Sequence, residues 1–191
     1  MTTTWMIPMT PAVLAVLAAC GGGGAPGAGG SKMDRMMSEG MAMQPDPDSA
    51  FGPLTVGADW MTYAKVNKAS FPSETHGGRL VDVYVNPTGQ AAYQQDDAEL
   101  PVGTVIVKTS KQADGGAGPL FVMEKRAAGY APDHGDWYYA IHWAEPDATW
   151  AKKLGGPVYW RTPSPRAAYC SDCHDGYDRG VGGVPAEQRA W

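Results

Sequence analysis

Four stretches of this chain constrain its fold more than any other feature: RLVDVYVNP from residue 79, PVGTVIVKTS from 101, PLFVMEK from 119 and WYYAIHWAE from 137. Each is strand-length, and each is rich in β-branched or aromatic residues or alternates apolar with polar ones. That is the signature of a strand with one face buried. Side chains alternate across a strand, so Val81, Val83 and Val85 share one side, while Asp82, Tyr84 and Asn86 take the other. In GTVIVK, Thr104, Ile106 and Lys108 share a face opposite Val105 and Val107. Phe121 goes with Met123, and Trp137, Tyr139, Ile141 and Trp143 oppose Tyr138, Ala140 and His142. Turn-forming stretches such as QADGGAG and GYAPDHGD lie between these segments, and no long helix intervenes. The expected fold is therefore mainly β (α+β), an antiparallel sheet with a few peripheral helices. Short helices are predicted in GADWMTYAKVNKAS, with Trp60, Tyr63 and Val66 on one face, and in TGQAAYQQDD, and a C-terminal helical segment is expected to carry CSDCH. A chain of 191 residues, 43% of them hydrophobic, suits one modest globular domain, running from about Phe51 to Trp191.

The N-terminus is of another kind. MTTTWMIPMTPAVLAVLAAC holds an apolar core, Ala12 to Ala19, too short to span a bilayer and of the size of a secretory signal. Leu17-Ala18-Ala19-Cys20 with Gly21 after it resembles the bacterial lipobox. Residues 1–19 then read as a signal peptide and Cys20 as a lipidation site, giving an exported, periplasmic lipoprotein held to the membrane by its anchor alone. An ordinary secretory peptide with an incidental cysteine is the alternative. Residues 20–50 are Gly- and Pro-rich with no apolar period and read as a flexible tether. Met33, Met36, Met37, Met41 and Met43 within it fit incidental linker residues better than a thioether site for copper. A formal net charge of −5 argues against a nucleic-acid partner.

Two of the three cysteines stand together in Cys170-Ser171-Asp172-Cys173-His174. This is the attachment pattern of c-type haem. Two thiols spaced along one turn of chain reach the two vinyl groups, and the histidine that follows reaches the iron as proximal ligand. Structural zinc would need further ligands gathered from His76, His134 and His142. A thioredoxin-like pair would sit at a helix start after an early strand, and a plain disulfide would suit an oxidising compartment. Neither accounts for His174. Past His174 the chain has no Met and no His, so a sixth ligand would have to come from upstream, and without one the iron keeps an open position.

The order and spacing of HGGRLVDVYVNP, LPVGTVIVKTS, GPLFVMEKRAAGYAPDHGDWYYAIHW and the late CSDCH resemble the cytochrome P-460 family, which includes the cytochromes c′-beta. The likeness runs from about Asp59 to His174. It implies a dimeric, mainly antiparallel protein carrying one covalent haem c with a histidine proximal ligand. It implies one of two activities: oxidation of hydroxylamine, with electrons passed to a redox partner cytochrome, where a lysine is bonded to a haem meso carbon, or binding of nitric oxide and similar gases without turnover where it is not. Periplasmic electron transfer is the further alternative. Lys108 matches the crosslinking lysine. A lysine beside haem loses solvent, which favours its neutral, nucleophilic form. Phe121 stands where hydroxylamine-oxidising members carry a distal carboxylate, with Glu124 close by as the alternative carboxylate. A phenyl group there favours an apolar diatomic ligand, whereas a carboxylate would act as general base.

The remaining residues read more plainly. Met123 is packing, the Trp137–Trp143 face is sheet core able to wall a haem, and His142 is structural. His76, in a Gly-rich turn, reads as surface. Lys125, Arg126, Arg161 and Arg166 are candidate partners for haem propionates. Asp133 and Asp136 read as turn caps.

Overall fold

The computed structural model describes residues 58–191. The expected signal peptide, Cys20, the expected tether and its methionines lie outside the described residues. Seven strands form one antiparallel sheet: β1 (Ala64–Lys65), β2 (Phe71–Ser73), β3 (Arg79–Val85), β4 (Val105–Lys111), β5 (Leu120–Lys125), β6 (Trp137–Trp143) and β7 (Val158–Arg161). The order is β1-β3-β4-β5-β6-β7, and β2 shares the outer edge of β3 with β1. From β3 onward each strand pairs antiparallel with the next strand in sequence. Among the described residues no helix is long and apolar enough to cross a membrane.

Three short helices flank the sheet. In α1 (Pro87–Tyr93), Pro87 occupies the first turn, where its missing N–H costs nothing, and the Asn86 side chain caps the helix by accepting from Gly89 N. The same Asn86 oxygen accepts from Val105 N at 3.0 Å, while its amide donates to Gly103 O at 2.8 Å, tying the helix to β4. In α2 (Ala148–Leu154), Asp147 accepts from Thr149 N and Trp150 N, and Gly155 ends the helix in the left-handed region. The last helix, α3 (Ala168–His174), carries Tyr169, Cys170, Cys173 and His174.

Cross-strand register builds straight rows, since residues opposite one another in antiparallel strands share a face. One row runs Val83, Lys108, Phe121, Ile141, Trp160. Its neighbour runs Val85, Ile106, Met123, Tyr139. On the reverse face Tyr84, Val107, Val122 and Ala140 form the matching row. Trp60, Tyr63 and Tyr84 pack over that reverse face, and each side chain fully buried there contributes about 1.5–3 kcal/mol.

The predicted helix across Trp60, Tyr63 and Val66 is not formed. Ala58–Thr62 makes a tight 3-10 turn and the chain then pairs as β1. Val66 enters the core on the face of Val81 and Val83, while Trp60 and Tyr63 cover the reverse face. Pairing with β3 thus overrode a three-residue spacing that only imitated a helix face. The strand β7 and the helix α2 carried no sequence expectation.

Candidate functional site

On the face of the Lys108 row the sheet is not closed by packing but opens into a cavity of about 550 Å3. Ile106, Lys108, Phe121, Met123 and Tyr139 form its floor, α3 brings Tyr169, Cys170, Cys173 and His174 over it, and Ser73–His76 and Val181–Ala186 complete the wall. Cys170, Cys173, His174, Lys108 and Phe121 therefore meet in one cavity although up to 66 residues separate them in sequence.

The helix α3 sets the order of its side chains. Cys170 is half-buried against both apolar clusters on this side of the sheet, while Cys173, one turn on, is exposed at the rim. Both are free thiols. Burial pushes the Cys170 thiol up to about 12, helped by Cys173 and Asp172 beside it. Cys170 is therefore a protonated thiol near neutral pH. Among the described residues no group of three or more His, Cys, Asp or Glu side chains gathers as a metal cluster, so the four ligands of structural zinc are not assembled here.

His174 ends α3 with its ring fixed. Its Nδ1–H donates to Gly180 O at 2.8 Å, which sets the tautomer and leaves Nε2 bare. An outer hydrogen bond of this kind orients metal-binding histidines. Gly180 takes φ +69, and a side chain at that position would run into the indole of buried Trp137. Glycine is thus required where the carbonyl meets the imidazole. Burial lowers the His174 pKa to about 4, with the Lys108 charge adding to the effect.

Lys108 is half-buried between Val83 and Phe121 in an apolar row, and its Nζ lies 3.5 Å from His76 Nδ1. Burial lowers its pKa to about 8. About a tenth to a fifth of the amine is then neutral at pH 7 to 7.4, against about a thousandth for an ordinary lysine, with a lone pair available. Phe121 is buried and its ring meets that of His76 at 4.7 Å. The hydroxyls of Tyr139 and Tyr169, both on the wall, are buried without a hydrogen-bond partner.

Glu124 does not belong to this site. Phe121 and Met123 point into the cavity, so alternation turns Glu124 to the reverse face, where its carboxylate pairs with Arg126 at 2.9 Å. Arg126 lies there too, against Tyr138, and Arg166 stacks on Trp160. Lys125 donates to Gly135 O and sits over Trp137. None of these four cations (Arg161 included) lines the cavity, and Arg189 does instead. His142 packs against Tyr159 away from the site. Asp136 serves as the expected turn cap, accepting from Gly129 N and Ala131 N.

His76 is the residue that sequence reasoning misplaced. It sits on the 3-10 turn Glu74–His76, and the pairing of Ser73 with Arg79 folds that turn over the cavity. The two glycines after His76 marked a turn, but only the pairing of β2 with β3 shows where the turn goes.

Comparison with protein-family models finds no match for this chain, and no curated protein matches it.

Proposed function

We propose that this chain is an exported c-type haem protein that acts on small nitrogen compounds, oxidising hydroxylamine and passing the electrons to a partner cytochrome. Cys170 and Cys173 would hold the porphyrin through thioethers, and His174 would bind its iron. The residues fit such a group: two unbridged thiols one helical turn apart and an imidazole with its Nε2 bare face one cavity. The cavity volume falls in the cofactor range of about 300–1,000 Å3. Its wall also includes the cation Arg189, which is paired with Asp96 at 3.0 Å and would have to share that charge with a carboxylate-bearing cofactor. Bound there, haem supplies an iron able to take a small ligand and accept its electrons.

One observation carries the reading: Lys108 and the Cys170–His174 segment line the same cavity. A lysine in the middle of an apolar row weakens the sheet, and a use for its neutral amine accounts for its presence. That use is a bond to the porphyrin edge, as the resemblance to cytochrome P-460 implies. The resemblance further supports a homodimer, and the N-terminal sequence supports a lipid anchor at Cys20 in the periplasm, with no nucleic-acid partner.

Phe121 favours a second reading, nitric-oxide binding without turnover. With Glu124 turned away, Glu74 is the one carboxylate among the described residues of the wall, and it is exposed. Two measurements divide the readings. A crosslinked haem gives a red-shifted ferrous Soret band that Lys108→Ala returns to the ordinary c-type position, with hydroxylamine-dependent reduction of an acceptor falling at least 100-fold. An unchanged spectrum in that variant removes the crosslink, and absent turnover alongside nitric-oxide binding selects the second reading.

A further inference from the structure

His76 and His174 face each other across the cavity with matched chemistry. Each imidazole is tethered through Nδ1: His174 to Gly180 O at 2.8 Å, His76 to Ser73 Oγ at 2.8 Å and Thr75 Oγ1 at 3.2 Å. Both hydroxyls can accept from an Nδ1–H, so Nε2 of His76 can be bare, as that of His174 is. The ring centres are 6.3 Å apart. A metal joined to two imidazoles by bonds of about 2 Å holds their ring centres about 6 Å apart. The same spacing is too short for His76 to act as a base on an iron-bound substrate. Iron, a bound molecule and a hydrogen bond of about 2.9 Å would push the rings farther apart. A pair of imidazoles is also too few ligands for a bare metal ion, but porphyrin brings four nitrogens of its own.

We propose that His76 is the sixth ligand of the haem iron, bound through Nε2 opposite His174, so that the resting protein is six-coordinate and a small molecule must displace His76 to reach the metal. This rests on the haem reading above and changes it in one respect: the distal position is guarded rather than permanently vacant. Displacement requires the guard to move. It ends a three-residue turn followed by Gly77 and Gly78, both in the left-handed region. Phe121, in contact with the His76 ring, would line the space that the imidazole vacates.

The test uses the full chain matured with its haem. Ferric and ferrous spectra, electron paramagnetic resonance and near-infrared magnetic circular dichroism of the unmutated protein are expected to show a low-spin, bis-histidine site. His76→Gly is expected to convert it to high spin, and added imidazole to restore the low-spin signal. A high-spin unmutated protein overturns the proposal, as does a low-spin signal that survives His76→Gly. If Lys108→Ala, and not His76→Gly, abolishes the low-spin signal, the sixth ligand is the lysine and the proposal is again wrong. Should His76→Gly fail to fold, the dichroism of the unmutated protein decides alone. A chain that carries no covalent haem overturns the functional reading itself, a result distinct from all of these.

Discussion

The two faces of the sheet are built from the same strands under the same alternation, and they differ in what they tolerate. The reverse face is a plain core: Val105, Val107, Val122, Tyr138 and Ala140 are buried under Trp60, Tyr63 and Tyr84. Charges at its edges are neutralised, Glu124 by Arg126 and Asp82 by Lys65 at 2.8 Å. The cavity face begins with equally apolar rows, yet it places a lysine, two histidines, a half-buried thiol and two tyrosines around an open volume. Stability alone would fill that volume and replace those groups with leucine or valine. One face is filled by packing, and the other is left open.

Adjacent residues of β4 test that difference most sharply. Val107→Lys puts an ammonium group into the closed face, where Val107 is 0% exposed. It is expected to cost about 3–5 kcal/mol in urea unfolding, because a buried charge is left unpaired. A cost below about 1 kcal/mol would mean that the faces are alike in tolerance. One residue on, Lys108→Met in the haem-free chain is expected to raise stability by about 1–2 kcal/mol. The gain has a pH signature. The folded-state pKa of Lys108 is about 8 against 10.5 ordinarily. Between those values the unfolded chain binds more protons, so stability rises with pH there. The penalty for the lysine is therefore full below about pH 8 and fades toward 10.5, and the advantage of the methionine should fade with it.

The smallest effect belongs to the rim of the reverse face. Burial tends to raise the Asp82 carboxyl, but hydrogen bonds from Lys65, Asn67 and Ser70 outweigh it and hold the pKa below its ordinary value. Its stabilisation is present above the ordinary carboxylate pKa and is lost as pH falls through the lowered one. Asp82→Asn should cost about 1 kcal/mol at pH 7 and nothing at pH 2, as read by thermal unfolding at both values.

Much of this contrast was legible in the sequence. The period of two assigned Lys108 to the face of Ile106 and separated it from Val107, and it grouped Tyr139 with Trp137 and Ile141. The same period already turned Glu124 away from Phe121, so its exclusion from the cavity needed no coordinates. What sequence could not give was long-range placement. His76 reached the site through the pairing of β2 with β3, and Arg189 reached it because the C-terminal segment returns to the sheet through the bridge of Asn67 to Arg189. Local composition says nothing about such contacts. The spacing of Trp60, Tyr63 and Val66 failed for the same reason, since strand pairing decided their faces.

The central claim is that the open face exists to hold a covalently attached haem. The most direct test is the optical spectrum and mass of the chain after expression with c-type haem maturation machinery and full denaturation. The denatured chain should keep the porphyrin's visible absorption and the mass of one haem, and should lose both in a Cys170→Ala, Cys173→Ala double variant. A colourless chain of unmodified mass would contradict the account.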